Sequence, residues 1–177
     1  MFYDDETFSG NNLGTVTVGN LTLRRDWHDP ANASAYVNSL RTKYDNYGNT
    51  ILSLDPLAPA SGDPAAGHVR ELAYDTAFRT YAESETIHVG NGSPALVATA
   101  SYDAGLGIVT RSIDFNSNTT TFGYDALARL TSIVKPGDTA AYPTMEYDHV
   151  FGVPVTFSFG DGLIRTGLVN HVESRQL

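Results

Sequence analysis

Six of the ten tyrosines are followed directly by aspartate: Tyr3-Asp4, Tyr44-Asp45, Tyr74-Asp75, Tyr102-Asp103, Tyr124-Asp125 and Tyr147-Asp148. Fourteen aspartates in 177 positions would produce roughly one such pair by chance, so the six record internal repetition. Successive pairs lie 41, 30, 28, 22 and 23 residues apart. The last two spacings define the unit, and the longer ones are that unit with insertions. One insertion is plain: residues 55–67, DPLAPASGDPAAG, carry three prolines and two glycines and form a long loop.

The residues after each pair match as well. Tyr44-Asp45-Asn46-Tyr47-Gly48-Asn49 leads into Thr50-Ile51-Leu52-Ser53-Leu54 and then Asp55-Pro56. Tyr124-Asp125-Ala126-Leu127-Ala128-Arg129 leads into Leu130-Thr131-Ser132-Ile133-Val134 and then Lys135-Pro136-Gly137. The unit is therefore strand, Tyr-Asp turn, strand, proline turn, and its repetition is a run of β-hairpins. Composition agrees. Val, Ile, Thr and aromatics are abundant, whereas Lys, Glu, Gln and Met together number eleven, a balance that favours strands over helices. The best helix candidate opens at Asp29-Pro30, a capping residue followed by proline, and would run from Ala31 to about Leu40. The same stretch also reads as a strand from Tyr36 to Tyr44. A last hairpin is expected over 153–169, turning at Gly160-Asp161-Gly162.

Alternation assigns the pair its roles. Residue i−2 shares the face of each tyrosine, and Leu72, Ala100, Phe122 and Met145 fill that place for Tyr74, Tyr102, Tyr124 and Tyr147. The rings are accordingly expected on the buried side; Thr42, before Tyr44, fits less well. Each aspartate falls at a strand end, where its carboxylate can accept a backbone N–H two residues on. Gly48 suits a positive-φ turn position, but its counterpart is Ala128, which either strains the turn or changes its type.

This pattern resembles the YD-repeat, or rearrangement-hotspot (Rhs), family. The best copy is Thr119–Asp138, where Tyr124, Asp125, Arg129, Leu130, Pro136 and Gly137 fall on the family's unit and Ala128 replaces its usual glycine. Gly19-Asn20-Leu21-Thr22, with Trp27 and His28 following, is similar to the opening of a unit in bacterial toxin-complex B-type components. The resemblance spans about Gly14 to Asp148. It implies an all-β fold in which consecutive antiparallel hairpins form part of a spiralling β-sheet shell. That shell encloses a toxic C-terminal segment before delivery. The whole chain, 1–177, would be one segment of a larger wall. Its partners would be neighbouring repeats and the enclosed cargo, with self-association possible through sheet edges. The setting implied is secreted or cell-surface and bacterial, with the export signal outside this chain. The residues carrying the repeat are Tyr44, Asp45, Gly48, Tyr74, Asp75, Tyr102, Asp103, Tyr124, Asp125, Arg129, Tyr147 and Asp148.

Charge and residue inventory narrow the function. A net charge of −9 disfavours binding to nucleic acid or anionic membranes. The absence of cysteine excludes disulfide frameworks and thiol catalysis. No apolar run is long enough to span a bilayer. His28, His68, His88, His149 and His171 are dispersed without metal-ligand spacing. Asp4, Asp5 and Glu6 lack a calcium-loop frame and read as a solvated terminus. Glu83-Ser84-Glu85 matches the E-x-E of ADP-ribosyltransferases, but alternating glutamates on a solvated strand face are the simpler reading. The expectation is no catalytic residue, no cofactor and no metal. The alternative function is a secreted carbohydrate-binding or adhesive β-module, which requires exposed aromatic faces.

Overall fold

The computed structural model describes residues 1–29, 31–158, 160 and 164–176. They form twelve antiparallel strands of one sheet, hydrogen-bonded in chain order. The strands are β1 (Phe2–Tyr3), β2 (Leu21–Trp27), β3 (Tyr36–Tyr44), β4 (Thr50–Leu54), β5 (Val69–Tyr74), β6 (Ala82–His88), β7 (Leu96–Asp103), β8 (Ile108–Ile113), β9 (Thr119–Tyr124), β10 (Leu130–Val134), β11 (Met145–Ser158) and β12 (Ile164–Gln176). Helical geometry among the described residues is confined to one 3-10 turn, Pro64–Ala66. The all-β hairpin fold expected from the repeats is what the chain adopts.

Of the two readings of this stretch, the helix from Ala31 to Leu40 does not form and the strand from Tyr36 to Tyr44 does. Tyr36–Tyr44 is a strand, and Tyr36 pairs with Trp27 of β2. Aromatic and β-branched residues gain more from that cross-strand partner than a short helix gains from its cap. The cap chemistry remains, turned to another use: the Asp29 carboxylate accepts the Ala31 N–H and tightens the connection into β3.

Contacts divide the chain into two compact units, Met1–Ala100 and Ser101–Leu177. The boundary falls inside β7, where no proline or glycine run marks it.

The first unit contains a small true core. Register pairing sets Leu23 opposite Arg41, Arg41 opposite Leu54, Leu54 opposite Val69 and Val69 opposite His88. This row runs across β2 to β6 on one face, and Leu23, Leu54, Val69 and Arg41 are buried. The long loop that follows β4 closes over it. Ala58 packs with Leu54 and Val69, and Phe8 packs on the same cluster. Three carbonyls of the loop, those of Asp55, Ala58 and Pro59, accept hydrogen bonds from the Arg41 guanidinium at 2.7–2.9 Å. At the loop's far end the backbone passes very close to the end of β6. A Cβ on Gly67 or Gly90 would sit 2.5 Å from a facing carbonyl oxygen, and both glycines have φ near +80°. Tyr44 is adjacent in parity to Thr42 and so lies on the opposite face from this core.

The second unit is built differently. Phe122 pairs with Ile133, and Ile133 with Met145, so Phe122, Tyr124, Ile133, Met145 and Tyr147 share one face. Among its described residues only Pro143 is buried. The apolar face is therefore present, as alternation predicts, yet only half-covered.

Candidate functional site

A single device recurs at the turns that follow the motif residues. The aspartate at the end of a strand donates its N–H to the carbonyl of the residue closing the loop. Its carboxylate accepts that same residue's N–H in return. Asp45 does this with Asn49, and Asp125 with Arg129, in both bonds at 2.9–3.0 Å. Asp75 does it with Tyr81, both bonds 2.9 Å, around a longer loop. Asp4 does it with Asn20, at 2.8 and 2.9 Å, around a loop spanning residues 5–19. Spacing between the pairs thus varies because loop length varies, while the closing geometry stays the same.

In the shortest loops the likeness extends to every position. The Asp45 and Asp125 carboxylates also accept the N–H two residues on, from Tyr47 and Leu127, at 2.8 and 2.9 Å. The fourth residue donates back to the aspartate carbonyl and holds positive φ: +86° at Gly48 and +60° at Ala128. The fifth residue's side chain returns to the second carboxylate oxygen, Asn49 at 3.0 Å and Arg129 at 2.6 Å. Register then slips by one residue beside each turn. This is a type I turn followed by a bulge, a common three-residue hairpin loop. Ala128 keeps the turn type and accepts the strain of a left-handed alanine, ~1–2 kcal/mol. Arg129 holds the turn from above, with its guanidinium 4.7 Å from the Phe151 ring centre.

Two aspartates depart from expectation. Asp114, with no tyrosine before it, makes the same turn, accepting N–H groups of Asn116 and Asn118 and the Asn118 side chain, with Ser117 at φ +64°. The readable signal was Asp-x-x-x-Asn, shared with Asp45–Asn49. Conversely, Tyr147-Asp148 makes no turn, because β11 runs through it. The position that would need positive φ is occupied by Phe151, a bulky residue ill-suited to that conformation. Asp148 instead faces Arg175 of β12 at 3.4 Å. Asp103 is intermediate: its carboxylate accepts N–H groups of Gly105 and Leu106, and Gly107 returns to its carbonyl.

The tyrosines are half-buried at all six pairs rather than enclosed. Tyr44 and Tyr124 use their hydroxyls in the same way, each donating to a carbonyl of the preceding strand: Leu21 at 3.2 Å and Val109 at 2.8 Å. The amino terminus also differs from the solvated segment expected. Asp5 is buried, and its carboxylate accepts Thr7, Ser9 and the Gly10 N–H. The Asp4 carboxylate gathers the N–H groups of Thr17, Val18, Gly19 and Asn20.

These contacts set the acidity of the aspartates. For Asp125 the Arg129 side chain is the largest influence, joined by the Arg129 N–H, and the carboxyl titrates at about 2. For Asp75, burial works to raise the pKa. The N–H groups of Tyr81, Phe78, Thr80 and Arg79 outweigh it, again giving about 2. Asn118 depresses Asp114 in the same sense. An aspartate in an unfolded chain titrates near ~3.9. Unfolding therefore takes up protons between the two values, so the clasps contribute fully above about pH 5 and lose their contribution as pH falls through 4 toward 2. A melting-temperature series from pH 7 to pH 2 should be flat at first and decline below about 5. Asp75→Asn with Asp125→Asn should flatten the decline.

The histidines and the E-x-E segment are dispersed over the sheet. His68 meets Asp55 at 2.7 Å, His88 meets Glu71 at 2.8 Å, and His149 meets the Leu130 carbonyl at 2.9 Å. Glu83 and Glu85 alternate on β6, and Glu85 pairs with Arg70. Among the described residues no three His, Asp or Glu gather as a metal-holding group.

No protein-family model matches the chain, and no curated protein matches it.

Proposed function

We propose that this chain is a non-catalytic wall segment of a YD-repeat, Rhs-type shell that encloses and helps deliver a toxic C-terminal cargo. The observation that carries the reading is the aspartate clasp, repeated with loops of very different length at Asp4, Asp45, Asp75, Asp114 and Asp125. A device that closes each hairpin without regard to loop content suits a sheet extended unit by unit, each burying its apolar face against its neighbours. The half-covered tyrosine face in the second unit suits a wall whose inner side meets other polypeptide. In this reading the partners are adjoining repeats and the enclosed segment, and the setting is a bacterial secreted or surface protein.

A second reading, glycan binding, has one specific observation in its favour. Trp27 is 56% exposed, while its ring is fixed by a hydrogen bond to the Ala33 carbonyl and an edge contact with Tyr36. A held, exposed indole is what sugar stacking needs.

The test uses the full polypeptide carrying this segment. A broad protease is added to the parent and to an Asp45→Ala/Asp125→Ala variant, and survival of the C-terminal portion is followed. Protection in the parent that is lost in the variant is expected. Equal cleavage of both overturns the wall reading. Glycan-array binding abolished by Trp27→Ala would establish the second reading in its place.

A further inference from the structure

Eleven asparagines occur in the chain, and Asn91 is the one followed by glycine. It lies between β6 and β7 in the turn Gly90-Asn91-Gly92-Ser93, which Ser93 closes by donating its N–H to the Gly90 carbonyl at 3.0 Å. Asn91 and Gly92 both hold positive φ, +55° and +71°, and both are exposed. No aspartate stands in this turn, so it lacks the clasp that closes the turns at Asp45 and Asp114. Among the described residues the Asn91 side chain has no hydrogen bond, and neither has the Gly92 N–H. Other asparagines in short turns are held. The clasp takes the N–H that follows Asn46, since Tyr47 donates to the Asp45 carboxylate. Ser117, after Asn116, donates to the Asp114 carbonyl. Asn32 is engaged through its own side chain, which accepts the Ser34 N–H.

We propose that Asn91 is a self-modification site, where the chain converts this asparagine to aspartate and to β-linked isoaspartate without an enzyme. The backbone nitrogen of Gly92 attacks the carbon of the Asn91 side-chain amide. A nitrogen–carbon bond forms, the bond to the amide nitrogen breaks, and ammonia leaves with the Gly92 proton. Water then opens the five-membered imide. Cleavage at the side-chain carbonyl gives aspartate, and cleavage at the main-chain carbonyl gives isoaspartate. Glycine favours the step because it has no Cβ to shield the nitrogen and its backbone is the least restricted. An N–H without an acceptor also gives up no hydrogen bond on reaction. Either product adds a negative charge to a chain whose net charge is −9. Isoaspartate lengthens the backbone as well, by one methylene beside Gly90. Gly90 has no slack there: a Cβ on it would sit 2.5 Å from the Ala66 carbonyl oxygen. The added length therefore presses on the far end of the loop 55–67 that covers the core. The inference concerns this turn alone and does not rest on the shell reading.

The test incubates the full chain at mildly alkaline pH, where the attacking amide loses its proton more readily, and again at mildly acidic pH. Digestion and mass spectrometry follow every asparagine, and an isoaspartyl methyltransferase labels the β-linked product. Asn91 should convert several-fold faster than Asn46 and Asn116, faster still at the higher pH, and to both products. Asn91→Gln, which would have to close a larger ring, should remove the fast-forming acidic species seen by ion exchange. Once separated, the isoaspartyl form should melt below Asn91→Asp, which carries the same charge on an ordinary backbone. Conversion at Asn91 no faster than at Asn46 or Asn116, or an acidic species that forms as fast in Asn91→Gln, overturns the site. An isoaspartyl form that melts with Asn91→Asp overturns its effect on the loop.

Discussion

Leu54→Ala is expected to remove about 2–5 kcal/mol of stability, the range for truncating an enclosed leucine. Leu54 is 2% exposed and lies between Arg41 and Val69 in the buried row. The loop that covers it holds its own backbone in a turn, Ala58 donating to the Asp55 carbonyl, so it is not free to collapse into the space left behind. Against a domain total of ~5–15 kcal/mol this is a severe loss. Tyr124→Ala provides the comparison. An enclosed tyrosine buries ~150–250 Å². Tyr124 is partly exposed but buries most of that area, roughly 100–225 Å², which at ~25 cal/mol per Å² is worth roughly 2.5–5.5 kcal/mol. Its hydroxyl bond to Val109 adds a little. Leu54→Ala should therefore rank beside Tyr124→Ala in cost, although Leu54 belongs to no Tyr-Asp pair. Urea titration of the two variants decides it. A loss below about 1 kcal/mol at Leu54 would mean the loop does not seal a core there.

That ordering marks how far the sequence was readable. Hairpin succession was legible because turn chemistry is local: an aspartate, a residue tolerating positive φ and a returning side chain lie within five positions, as at Asp45 to Asn49. Tyrosine is a weaker guide than this frame: Asp114 makes the turn with no tyrosine before it, and Asp148 follows a tyrosine without making one. The side of the sheet that carries the core was not legible. Apolar residues at i−2 accompany Tyr124 and Tyr147 on the apolar face of the second unit, but burial depends on what lies over that face. In the first unit the cover is the proline-rich segment 55–67, and it lies over Leu54 and Val69 instead. Such tertiary cover has no periodic signature. The charged residue at its centre, Arg41, reads in sequence as a solvated strand position.

Arg41→Ala should be the second large effect, roughly 3–5 kcal/mol, and local in its onset. Arg41 is 2% exposed. Its guanidinium satisfies the carbonyls of Asp55, Ala58 and Pro59 together, where a buried carbonyl left without a donor costs about 1–3 kcal/mol. Burial pushes the Arg41 pKa down and Asp55 works against that. The group keeps its charge, since arginine remains protonated in proteins. Removing it takes the donor from the Ala58 carbonyl, leaves those of Asp55 and Pro59 with only the Ala58 and Gly62 N–H groups, and opens a cavity under the loop. Arg41→Lys should recover only part of the loss, because one ammonium cannot span carbonyls that the planar fork reaches from two nitrogens. The distinguishing readout is hydrogen exchange. In Arg41→Ala the amides of Ala58, Gly62 and Ala66, which close turns within the loop, should lose protection before those of β5 and β6. Uniform loss across the first unit would instead show that Arg41 supports the sheet as a whole rather than fastening the loop that covers its core.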